Sequence, residues 1–462
     1  MTLIKSISGI RGTIGGSVGD NLTPIDTVKF AAAYGTWIKE QRSKESYRVV
    51  IGRDARISGA MIQNLVMNTL IGMGIDVIDL DLSTTPTVEI AVPLEHADGG
   101  IILTASHNPK QWNALKLLDH NGEFLNSEHS QRVLDIAAAD SMEFAGVDDL
   151  GAITKNQAYF DIHIDAVLDL EHVNVKAIAA CKFKVVVDAV NSTGGIAIPL
   201  LLERLGVEAV KLHCEPNGHF PHNPEPLKEH LTDLSEKVVA SAADFGIAVD
   251  PDVDRLAFMD EKGVMFGEEY TLVACADYIL SHKPGNTVSN LSSTRALRDV
   301  TEKYGGTYTA SAVGEVNVVN AMKASNASIG GEGNGGIIYP ESHYGRDALV
   351  GVALFLSLLA ERKIAVSTLR ASYPSYFMSK KKIDLNPTID VDAILVAMET
   401  RYSQEQISTI DGVKIDFPTE WVHLRKSNTE PIIRIYTEAP TQGTADKLAD
   451  KIINEIKEVA GL

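Results

Sequence analysis

The amino-acid sequence predicts an α/β protein of several domains. Its 462 residues exceed what one hydrophobic core usually supports, so two to four domains are expected. Short runs rich in β-branched residues alternate repeatedly with helical patterns, which is typical of α/β units. The last part of the chain instead combines strands with one amphipathic helix. We therefore predict three α/β domains of related topology and a smaller C-terminal α+β domain.

The three predicted α/β domains each contain a series of short apolar segments that are typical of strands. In the first domain, a predicted helix over 59–72 separates the first two strands. The predicted strands of these domains lie at 48–52, 76–80, 100–104, 183–188, 206–210, 245–249, 256–259, 287–291 and 327–330. The last part has strands near 412–417 and 432–437 and a helix over 444–459 whose apolar residues share one face. The domains predicted in this way comprise residues 1–150, 151–257, 258–370 and 371–462.

The composition argues against several classes of partner. A formal net charge of −19 would repel nucleic acid and anionic membranes, although a local basic cluster could still attract a small anionic substrate. Three cysteines are too few and too scattered for a disulfide framework. Residues 1–6 lack the apolar segment of a secretory signal. The apolar stretch 348–360 is too short to span a bilayer and predicts a buried helix, so we expect a cytoplasmic protein.

The segment 104–109 (Thr-Ala-Ser-His-Asn-Pro) contains a candidate nucleophile, Ser106. It follows the apolar strand 100–103, and open α/β sheets bind ligands at the carboxyl ends of their strands. The same residue types also form ordinary turns. Acyl transfer is disfavoured because Ser106 is not set in a Gly-x-Ser-x-Gly motif and because His107, the direct neighbour, is poorly placed as the base of a triad. The segment 113–116 is expected to bring Lys116 back to this loop. There Lys116 could neutralise a phosphate or, with a lowered pKa, carry a proton.

Three aspartates at alternate positions, Asp250, Asp252 and Asp254, lie between two apolar strands. In an extended segment such carboxylates can converge on one hard cation. The spacing resembles an EF-hand calcium loop, but that loop requires glycine where Arg255 stands, and helices where strands are predicted. Magnesium prefers few carboxylates plus a phosphate oxygen, so a phosphorylated Ser106 could complete the site. The sequence therefore predicts a magnesium site shared by two distant loops.

The glycine-rich segment 331–336 matches the Gly-x-Gly-x-x-Gly of dinucleotide-binding sites. A helix should follow that motif, whereas residues 337–340 predict a short strand that ends at a proline. We interpret the glycines as allowing the backbone to approach a ligand closely, with Glu332 and Asn334 facing sugar hydroxyls. A flexible hinge is the alternative interpretation.

A basic segment, 425–431, precedes the predicted strand 432–436. It combines Arg425 with hydroxyl and amide side chains, and Arg434 follows in the strand. Arginine binds phosphate in a bidentate geometry, and an exposed turn supplies backbone donors. In so acidic a chain this cluster predicts an anion site, with a solvated basic turn as the alternative.

Together these segments resemble the functional loops of the α-D-phosphohexomutase superfamily. In the family's order, the similar segments are the phosphoserine loop at 104–109, the metal loop at 250–255, the sugar-binding loop at 331–336 and the phosphate-binding loop at 425–431, with further similarity at 9–12 and 52–56. The resemblance implies a heart-shaped, four-domain fold with a central active-site cleft. It also implies an isomerase that moves a phosphoryl group through a phosphoserine enzyme and a bisphosphorylated sugar.

The resemblance implies roles for individual residues. Ser106 would donate and accept the phosphoryl group and, with Asp250, Asp252 and Asp254, bind Mg²⁺. The residues implied to assist transfer are Arg11, His107, Lys116 and Arg255, with Lys116 or His107 as proton carrier. The residues implied to bind the substrate are Glu332 and Asn334 for the sugar, and Arg425, Ser427, Asn428, Thr429 and Arg434 for the non-transferring phosphate. One Mg²⁺ per site, a hexose bisphosphate activator, a phosphosugar substrate and a monomer or homodimer are expected.

Four positions depart from the commonest family pattern: Pro251, Val253, Asn334 and Gly336. The Asn-Gly-Gly form of the sugar-binding loop looks more like a branch that contains archaeal-type phosphoglucosamine mutases and phosphomannomutases. We therefore predict glucosamine phosphate as the substrate, with mannose or glucose phosphate as the alternative. A metal-dependent phosphatase and a non-catalytic phosphosugar-binding protein are the competing functions.

Overall fold

The computed structural model describes residues 2–6, 9–384, 390–426 and 432–460. The chain forms two compact units, each built from two stretches of sequence. The first unit comprises residues 1–279 and 334–368, and the second comprises residues 280–333 and 369–462. The chain thus leaves the first unit and later returns to it.

Strands and helices alternate over most of the described chain. The strands are β1 (Ile4–Ser6), β2 (Gly9–Thr13), β3 (Tyr47–Arg53), β4 (Ile75–Leu82), β5 (Gly99–Leu103), β6 (Trp112–Leu118), β7 (Ile153–Lys155), β8 (Lys184–Asp188), β9 (Glu208–Leu212), β10 (Phe245–Val249), β11 (Leu256–Met259), β12 (Asn286–Asn290), β13 (Tyr308–Ser311), β14 (Ala327–Glu332), β15 (Gly336–Ile338), β16 (Phe377–Asp384), β17 (Gln406–Ser408), β18 (Val413–Asp416), β19 (Trp421–Lys426) and β20 (Ile432–Ala439). The helices are α1 (Pro24–Gln41), α2 (Gly59–Gly72), α3 (Thr85–Leu94), α4 (Ser127–Ala139), α5 (Tyr159–Leu168), α6 (Val175–Cys181), α7 (Gly194–Arg204), α8 (Thr232–Ala240), α9 (Glu268–His282), α10 (Ala296–Lys303), α11 (Glu315–Ser325), α12 (Ala348–Arg362), α13 (Val366–Ala371), α14 (Val391–Arg401) and α15 (Gln442–Ala460).

The first unit contains a seven-stranded mixed sheet. Its strand order is β1-β2-β6-β5-β3-β4-β7. Its interior strand β5 is buried along its whole length, as its uninterrupted apolar sequence requires. Val49 and Val50 on neighbouring β3 point into different hydrophobic cores, one formed with α1, α2 and α4 and the other with α3. The sheet is therefore covered on both faces, and the loop after β5 emerges at its carboxyl end.

The second sheet of the first unit has the order β11-β10-β8-β9. Strands β8, β9 and β10 are parallel, whereas β11 runs antiparallel to β10. The acidic loop joins β10 to β11, so it lies at the carboxyl end of the parallel strands. Helix α12 is buried from Ala348 to Ala360 and packs against α5, α6, α7 and β11. Asp347 caps this helix by accepting hydrogen bonds from the amides of Leu349 and Val350.

The second unit contains parallel strands in the order β13-β12-β14 and a five-stranded antiparallel sheet in the order β16-β20-β19-β18-β17. Helix α15 covers the antiparallel sheet with Leu448, Ile452 and Ile456 buried in the core. This arrangement is the α+β organisation predicted for the end of the chain.

Most predicted elements are confirmed. The helix predicted over 59–72 is α2, and the strands predicted at 245–249 and 256–259 are β10 and β11. The strand predicted at 206–210 begins later, because Gly206 has a φ of +71° where the chain turns after α7. None of the described helices combines the length and the apolar run needed to cross a bilayer. The four domain boundaries stay a prediction.

Candidate active site

Ser106 lies in the loop that follows β5, and its backbone is in the left-handed region, with a φ of +48°. That conformation costs a residue other than glycine about 1 kcal/mol. The amide of Ser106 donates to the hydroxyl of Thr104 at 2.9 Å, which supports the unusual turn. The Ser106 hydroxyl donates to Oδ2 of Asp250 at 2.7 Å. The loop therefore presents Oγ of Ser106 to the acidic segment of the second sheet.

The buried guanidinium of Arg56 fixes the shape of this loop. The four carbonyl oxygens that accept its terminal N–H groups, at distances of 2.5–3.0 Å, belong to Ser106, Asn108, Pro109 and Trp112. Its Nε donates to Asp54 at 2.9 Å, and the same carboxylate accepts from the Thr104 hydroxyl at 2.7 Å. Arg56 and Asp54 thus satisfy the backbone of a loop that forms no regular hydrogen-bond ladder.

The carboxylates of Asp250, Asp252 and Asp254 converge in the acidic loop. Their ligand atoms lie within 4.8 Å of one another, and all three residues are buried. Oδ1 of Asp250 accepts from the amides of Asp254 at 3.2 Å and Arg255 at 3.1 Å, so the loop curls around this carboxylate. Val253 makes the turn with a φ of +64°, a conformation that is exceptional for a β-branched residue. The curled backbone explains how alternate side chains reach one point.

Besides Ser106, the cations of Lys116 and Arg346 and the hydroxyl of Thr85 contact the aspartates closely. Nζ of Lys116 lies 2.7 Å from Oδ2 of Asp252 and 3.5 Å from Oδ2 of Asp254. A terminal nitrogen of Arg346 lies 2.6 Å from Oδ2 of Asp254. The hydroxyl of Thr85 donates to Oδ2 of Asp252 at 2.6 Å. The negative charge of the cluster is therefore partly balanced within the protein.

The environment shifts the pKa values of the aspartates in opposite directions. Burial, reinforced by the charges of Asp252 and Asp254, holds the pKa of Asp250 well above its usual range. Burial acts in the same direction on Asp254, but the charges of Arg346 and Lys116 outweigh it and lower its pKa. The ionised carboxylate of Asp254 and the hydrogen-bonded carboxyl of Asp250 thus occupy one buried cluster.

The pKa shifts of Lys116 and His107 bear on the roles predicted for them in charge neutralisation and proton transfer. Burial disfavours the charged ammonium of Lys116, but the charges of Asp252 and Asp254 outweigh it and raise the pKa. This direction favours neutralisation of charge by Lys116 over the lowered pKa of a proton carrier, and the choice of proton carrier stays a prediction. Burial, reinforced by the charge of Arg255, lowers the pKa of His107 to about 2. The imidazole of His107 is consequently neutral at physiological pH.

His107 and Arg11 lie around the nucleophile loop, as predicted. Nδ1 of His107 is 3.4 Å from Oγ of Ser106. The guanidinium of Arg11 donates to the side-chain oxygen of Asn108 at 3.4 Å. His107 is therefore close to the hydroxyl that would receive a phosphoryl group, and Arg11 contacts the loop that carries it.

Arg255 lies at the end of the acidic loop. It pairs with Glu225 at 3.0 Å, and its Nε is 4.0 Å from Oδ2 of Asp250 and from Oδ1 of Asp254. No described residue accepts a hydrogen bond from this Nε. The guanidinium thus has a donor available beside the carboxylates.

The acidic cluster has the donor set of a hard-cation site. Oδ1 of Asp252 and Oδ1 of Asp254 are buried, and neither accepts a hydrogen bond from any described residue. Buried carboxylate oxygens without partners are unfavourable unless a cation binds them. Together with Asp250 and Oγ of Ser106, these atoms offer the oxygen ligands that divalent metal ions prefer. The residues present therefore fit a metal ion.

The residues predicted to face the sugar are placed separately in the two units. Glu332, in the second unit, accepts from the side chain of Asn290 at 2.8 Å and from the amide of Gly314 at 3.1 Å. Asn334, in the first unit, accepts from the amide of Gly336 at 3.1 Å. Strand β15 follows directly, in place of the helix that a dinucleotide-binding motif requires. The sugar-binding role of both residues stays a prediction.

The predicted phosphate-binding segment is described only in part. Arg425 on β19 is the register partner of Arg434 on β20, so the two arginines are neighbours across the sheet. Nε of Arg425 lies 2.9 Å from Oδ2 of Asp411. The remaining predicted residues, which lie outside the described part of the chain, are Ser427, Asn428 and Thr429. Binding of an anion here stays a prediction.

Three residues of the site were not assigned a role from the sequence: Arg56, Thr85 and Arg346. Arg56 belongs to the segment 52–56, whose similarity to the family was noted without a function. Thr85 begins α3 and Arg346 precedes α12, and neither position carries a motif. Their contacts arise only when distant elements pack together, so the local sequence offered no signal for them.

Comparisons with known proteins identify the family. Models of the phosphoglucomutase/phosphomannomutase alpha/beta/alpha domains I, II and III match residues 3–143, 161–263 and 267–376, and the model of the C-terminal domain matches residues 379–455. A phosphoglucomutase/phosphomannomutase of Thermococcus kodakarensis is 35% identical over 97% of this chain and 98% of its own. A probable phosphoglucosamine mutase of Methanopyrus kandleri is 32% identical over 97% of this chain and 97% of its own. A phosphoglucosamine/phosphogalactosamine mutase of Sulfurisphaera tokodaii is also 32% identical, over 98% of this chain and 97% of its own.

Solved structures agree with these matches. A phosphoglucomutase/phosphomannomutase family protein of Burkholderia thailandensis covers 99% of this chain and 98% of its own with a TM-score of 0.85 at 25% identity. N-acetylphosphoglucosamine mutase of Aspergillus fumigatus shares the fold at 16% identity in a complex with GlcNAc-6P and magnesium, covering 91% of this chain and 84% of its own (TM-score 0.58). A variant of the same enzyme, in complex with glucose 1,6-bisphosphate, shares the fold at 14% identity. It covers 94% of this chain and 99% of its own (TM-score 0.53). The predicted fold class is thereby confirmed, and the chain belongs to the phosphoglucomutase/phosphomannomutase family of the α-D-phosphohexomutase superfamily, whose members are intramolecular phosphotransferases.

Proposed function

We propose that this protein interconverts a hexose 6-phosphate and a hexose 1-phosphate through a phosphorylated Ser106 and a bisphosphorylated sugar. The observation that carries the proposal is the 2.7 Å hydrogen bond from Ser106 to Asp250 within the buried aspartate cluster. A hydroxyl in this position can accept a phosphoryl group and remain beside carboxylates suited to a divalent ion.

Phosphoryl transfer depends mainly on positioning and charge neutralisation. Mg²⁺ bound by the three aspartates and an oxygen on Ser106 would neutralise charge on the transferring phosphoryl group. Lys116 and Arg346 bring two positive charges to the same cluster. Arg11 and Arg255 add further donors around the nucleophile loop. These four cations allow a strongly anionic group to approach an acidic loop.

We assign the two steps of proton transfer to His107 and Lys116. The imidazole of His107 lies 3.4 Å from Oγ of Ser106, within reach of the hydroxyl proton, and its low pKa means that it would pass an accepted proton on readily, whereas the charged Lys116 can only donate one. Serine phosphorylation releases the hydroxyl proton, and dephosphorylation returns it. The two groups thus have complementary protonation states, one beside Ser106 and the other beside the aspartates.

We assign substrate binding to the two predicted loops. Glu332 and Asn334 would bind sugar hydroxyls, and Arg425 and Arg434 would bind the non-transferring phosphate together with residues 427–429. The adjacent positions of Arg425 and Arg434 on β19 and β20 support a shared anion site. The sugar-phosphate complexes of the Aspergillus fumigatus enzyme support a phosphosugar substrate, Mg²⁺ and a hexose bisphosphate activator.

Glucosamine phosphate is the substrate that we favour. Several relatives at 30–33% identity are named probable phosphoglucosamine mutases. The alternative is mannose or glucose phosphate, because the Thermococcus kodakarensis relative at 35% identity is named phosphoglucomutase/phosphomannomutase. Relatives of both kinds match along almost the whole chain, so the choice between sugars must be made by assay.

A panel of glucosamine, mannose and glucose 6-phosphates, compared by kcat/KM, tests the proposal. Each reaction contains Mg²⁺ and a catalytic amount of the matching hexose bisphosphate, and both the 1-phosphate and inorganic phosphate are measured. We expect the 1-phosphate as product, with glucosamine 6-phosphate the best substrate. Release of inorganic phosphate as the main product would show a phosphatase, and binding without turnover would show a non-catalytic phosphosugar-binding protein.

Ser106→Ala is the decisive variant in this panel. We expect kcat/KM to fall at least about a thousandfold, because the covalent carrier is lost. Ser141→Ala makes the same change at an exposed position and should leave activity unchanged. Near-normal turnover by Ser106→Ala would refute the serine assignment.

We also propose a cytoplasmic location. The three cysteines, Cys181, Cys214 and Cys275, are all free thiols, which suits a reducing compartment. The net charge of −19 supports the proposal that neither nucleic acid nor membrane is a partner. Measuring the molar mass in solution distinguishes the monomer from the homodimer.

A further inference from the structure

A second cluster of metal-binding side chains lies in the first unit, at the carboxyl end of β8. Asp188 is the last residue of β8, His213 follows β9, and His222 lies in the loop after it. Nδ1 of His213 and Nε2 of His222 lie 3.3 Å and 3.1 Å from the same oxygen, Oδ2 of Asp188. Asp188 is buried, whereas the two histidine side chains are 18% and 16% exposed, so solvent can reach the cluster.

The ring nitrogens that face away from Asp188 already have partners. Nδ1 of His222 lies 2.8 Å from the carbonyl oxygen of Asn223, which only accepts, so this nitrogen carries the proton. Nε2 of His213 lies 3.5 Å from a carboxylate oxygen of Asp233, at ion-pair distance. Without a cation, both inward nitrogens are within hydrogen-bond distance of Asp188, and protonated imidazoles can donate to its carboxylate there. A divalent cation would displace these protons and be held by the three ligand atoms that converge here.

The distances suit a transition-metal ion. Tetrahedral coordination with bonds of about 2.0–2.1 Å places neighbouring ligand atoms about 3.3 Å apart, close to the 3.1 Å and 3.3 Å observed here. Histidine ligands usually donate their other N–H to a carbonyl or carboxylate, as His222 does, and Nε2 of His213 lies 3.5 Å from the Asp233 carboxylate. Two imidazoles and one carboxylate suit Zn²⁺ or Co²⁺, whereas Mg²⁺ prefers oxygen ligands.

We propose that Asp188, His213 and His222 form a second divalent-metal site, selective for Zn²⁺-class ions and separate from the three aspartates. Asp188 and His213 lie at strand ends, whereas His222 belongs to the loop that follows β9, so a bound ion fastens this loop to the sheet. The same loop carries Glu225, which pairs with Arg255 at 3.0 Å. The site therefore positions the loop that contacts the reaction centre.

Zn²⁺ binding to the chelator-treated, full-length protein tests the proposal. Calorimetry is performed in excess Mg²⁺, which occupies the oxygen-rich aspartate site. We expect the wild-type protein to bind a single equivalent of Zn²⁺, and His222→Gln to weaken this binding by more than about tenfold. His219→Gln makes the same change at an exposed position of the same loop and should bind Zn²⁺ like the wild type.

Co²⁺ gives a readout that does not depend on the folding of a variant. Bound to Asp188, His213 and His222 of the wild-type protein, Co²⁺ should show the strong visible absorption of tetrahedral coordination, and excess Mg²⁺ should not remove it. His213→Asn provides an independent loss of one ligand. Equal Zn²⁺ affinity in the wild type and both variants, or no binding by the wild type, would overturn the proposal and leave an ion pair of protonated histidine with Asp188.

Discussion

The hydroxyl of Ser106 is hydrogen-bonded to the carboxylate of Asp250 at 2.7 Å, although 144 positions separate the two residues in the sequence. They lie in loops that extend from different sheets, after β5 and after β10. Each loop also contains a residue other than glycine in the left-handed region, Ser106 itself and Val253. The predicted proximity of the serine to the aspartates is thus confirmed, and both loops maintain an unfavourable backbone conformation to achieve it.

Comparison of Ser106→Gly with Ser106→Ala separates the chemistry of this position from its backbone strain. Both variants lack the hydroxyl, so both should lose at least about a thousandfold in kcat/KM. Glycine adopts a φ of +48° without strain, whereas alanine does not. We expect the glycine variant to be more stable by about 1 kcal/mol, measured by urea unfolding without metal. Equal stabilities would show that the loop relaxes when the hydroxyl is removed.

Asp250→Asn should separate metal binding from folding. Because burial and its neighbours already raise the pKa of Asp250, a neutral amide should change the metal-free stability by less than about 1 kcal/mol. Its oxygen can still accept from the amides of Asp254 and Arg255. Mg²⁺ should no longer raise the Tm, and kcat should fall at least about a hundredfold.

The control for this variant is Asp135→Asn, at an exposed position on α4. It should retain both activity and the Mg²⁺-dependent rise in Tm. A rise in Tm with Mg²⁺ that is unchanged in Asp250→Asn would place the metal elsewhere.

Arg346→Gln tests a residue that the sequence did not indicate. Its guanidinium lies 2.6 Å from Asp254, so its loss should reduce charge neutralisation at the reacting phosphoryl group. We expect kcat/KM to decrease about a hundredfold. Arg362→Gln is the matched control, because Arg362 pairs with the buried Asp277 at the same distance of 2.6 Å on the far end of α12. If both variants lose activity equally, the effect is one of stability alone.

His423 should make the stability of the protein depend on pH. The ring is buried in β19, where Nε2 donates to the carbonyl of Asp411 at 2.6 Å and Nδ1 accepts from the hydroxyl of Ser292 at 2.9 Å. Burial lowers its pKa to about 4. An unfolded chain with the ordinary value near 6.5 binds a proton that the folded chain does not, so stability is lost as the pH falls from about 6.5 to about 4.

The measurement for His423 is the free energy of unfolding in urea at pH 8 and pH 5. The wild type should lose about 2 kcal/mol more than His423→Gln between these values. His120→Gln, at an exposed position, should behave like the wild type. The same pH dependence in the wild type and His423→Gln would show that this ring does not titrate in the window.

The elements that were predicted best are those whose burial is visible in their own amino-acid composition. Strands β10 and β11 are fully buried apolar runs on either side of the acidic loop, so their bounds follow directly from composition. Helix α12 is apolar all round because it is buried all round. The aspartates converge because the loop curls around the Asp250 carboxylate, which accepts from the amides of Asp254 and Arg255.

The features that the sequence did not predict depend on tertiary packing or on sheet edges. Strand β16 includes the basic run Lys380–Lys382 and was not recognised as a strand, since an edge strand tolerates charged side chains. It nevertheless pairs with β20 along its whole length. Arg56 and Arg346 satisfy carbonyls and a carboxylate from distant segments, so only the folded chain reveals their partners.

The return of the chain to its first unit has a consequence for synthesis on the ribosome. Helix α12 is translated only after residues 280–333, which belong to the other unit. A nascent chain that ends at residue 279 therefore exposes the apolar surfaces of α5, α6 and α7 that α12 later covers. Such a chain is a natural client for chaperones, and a gene truncated at this point should yield an aggregating product.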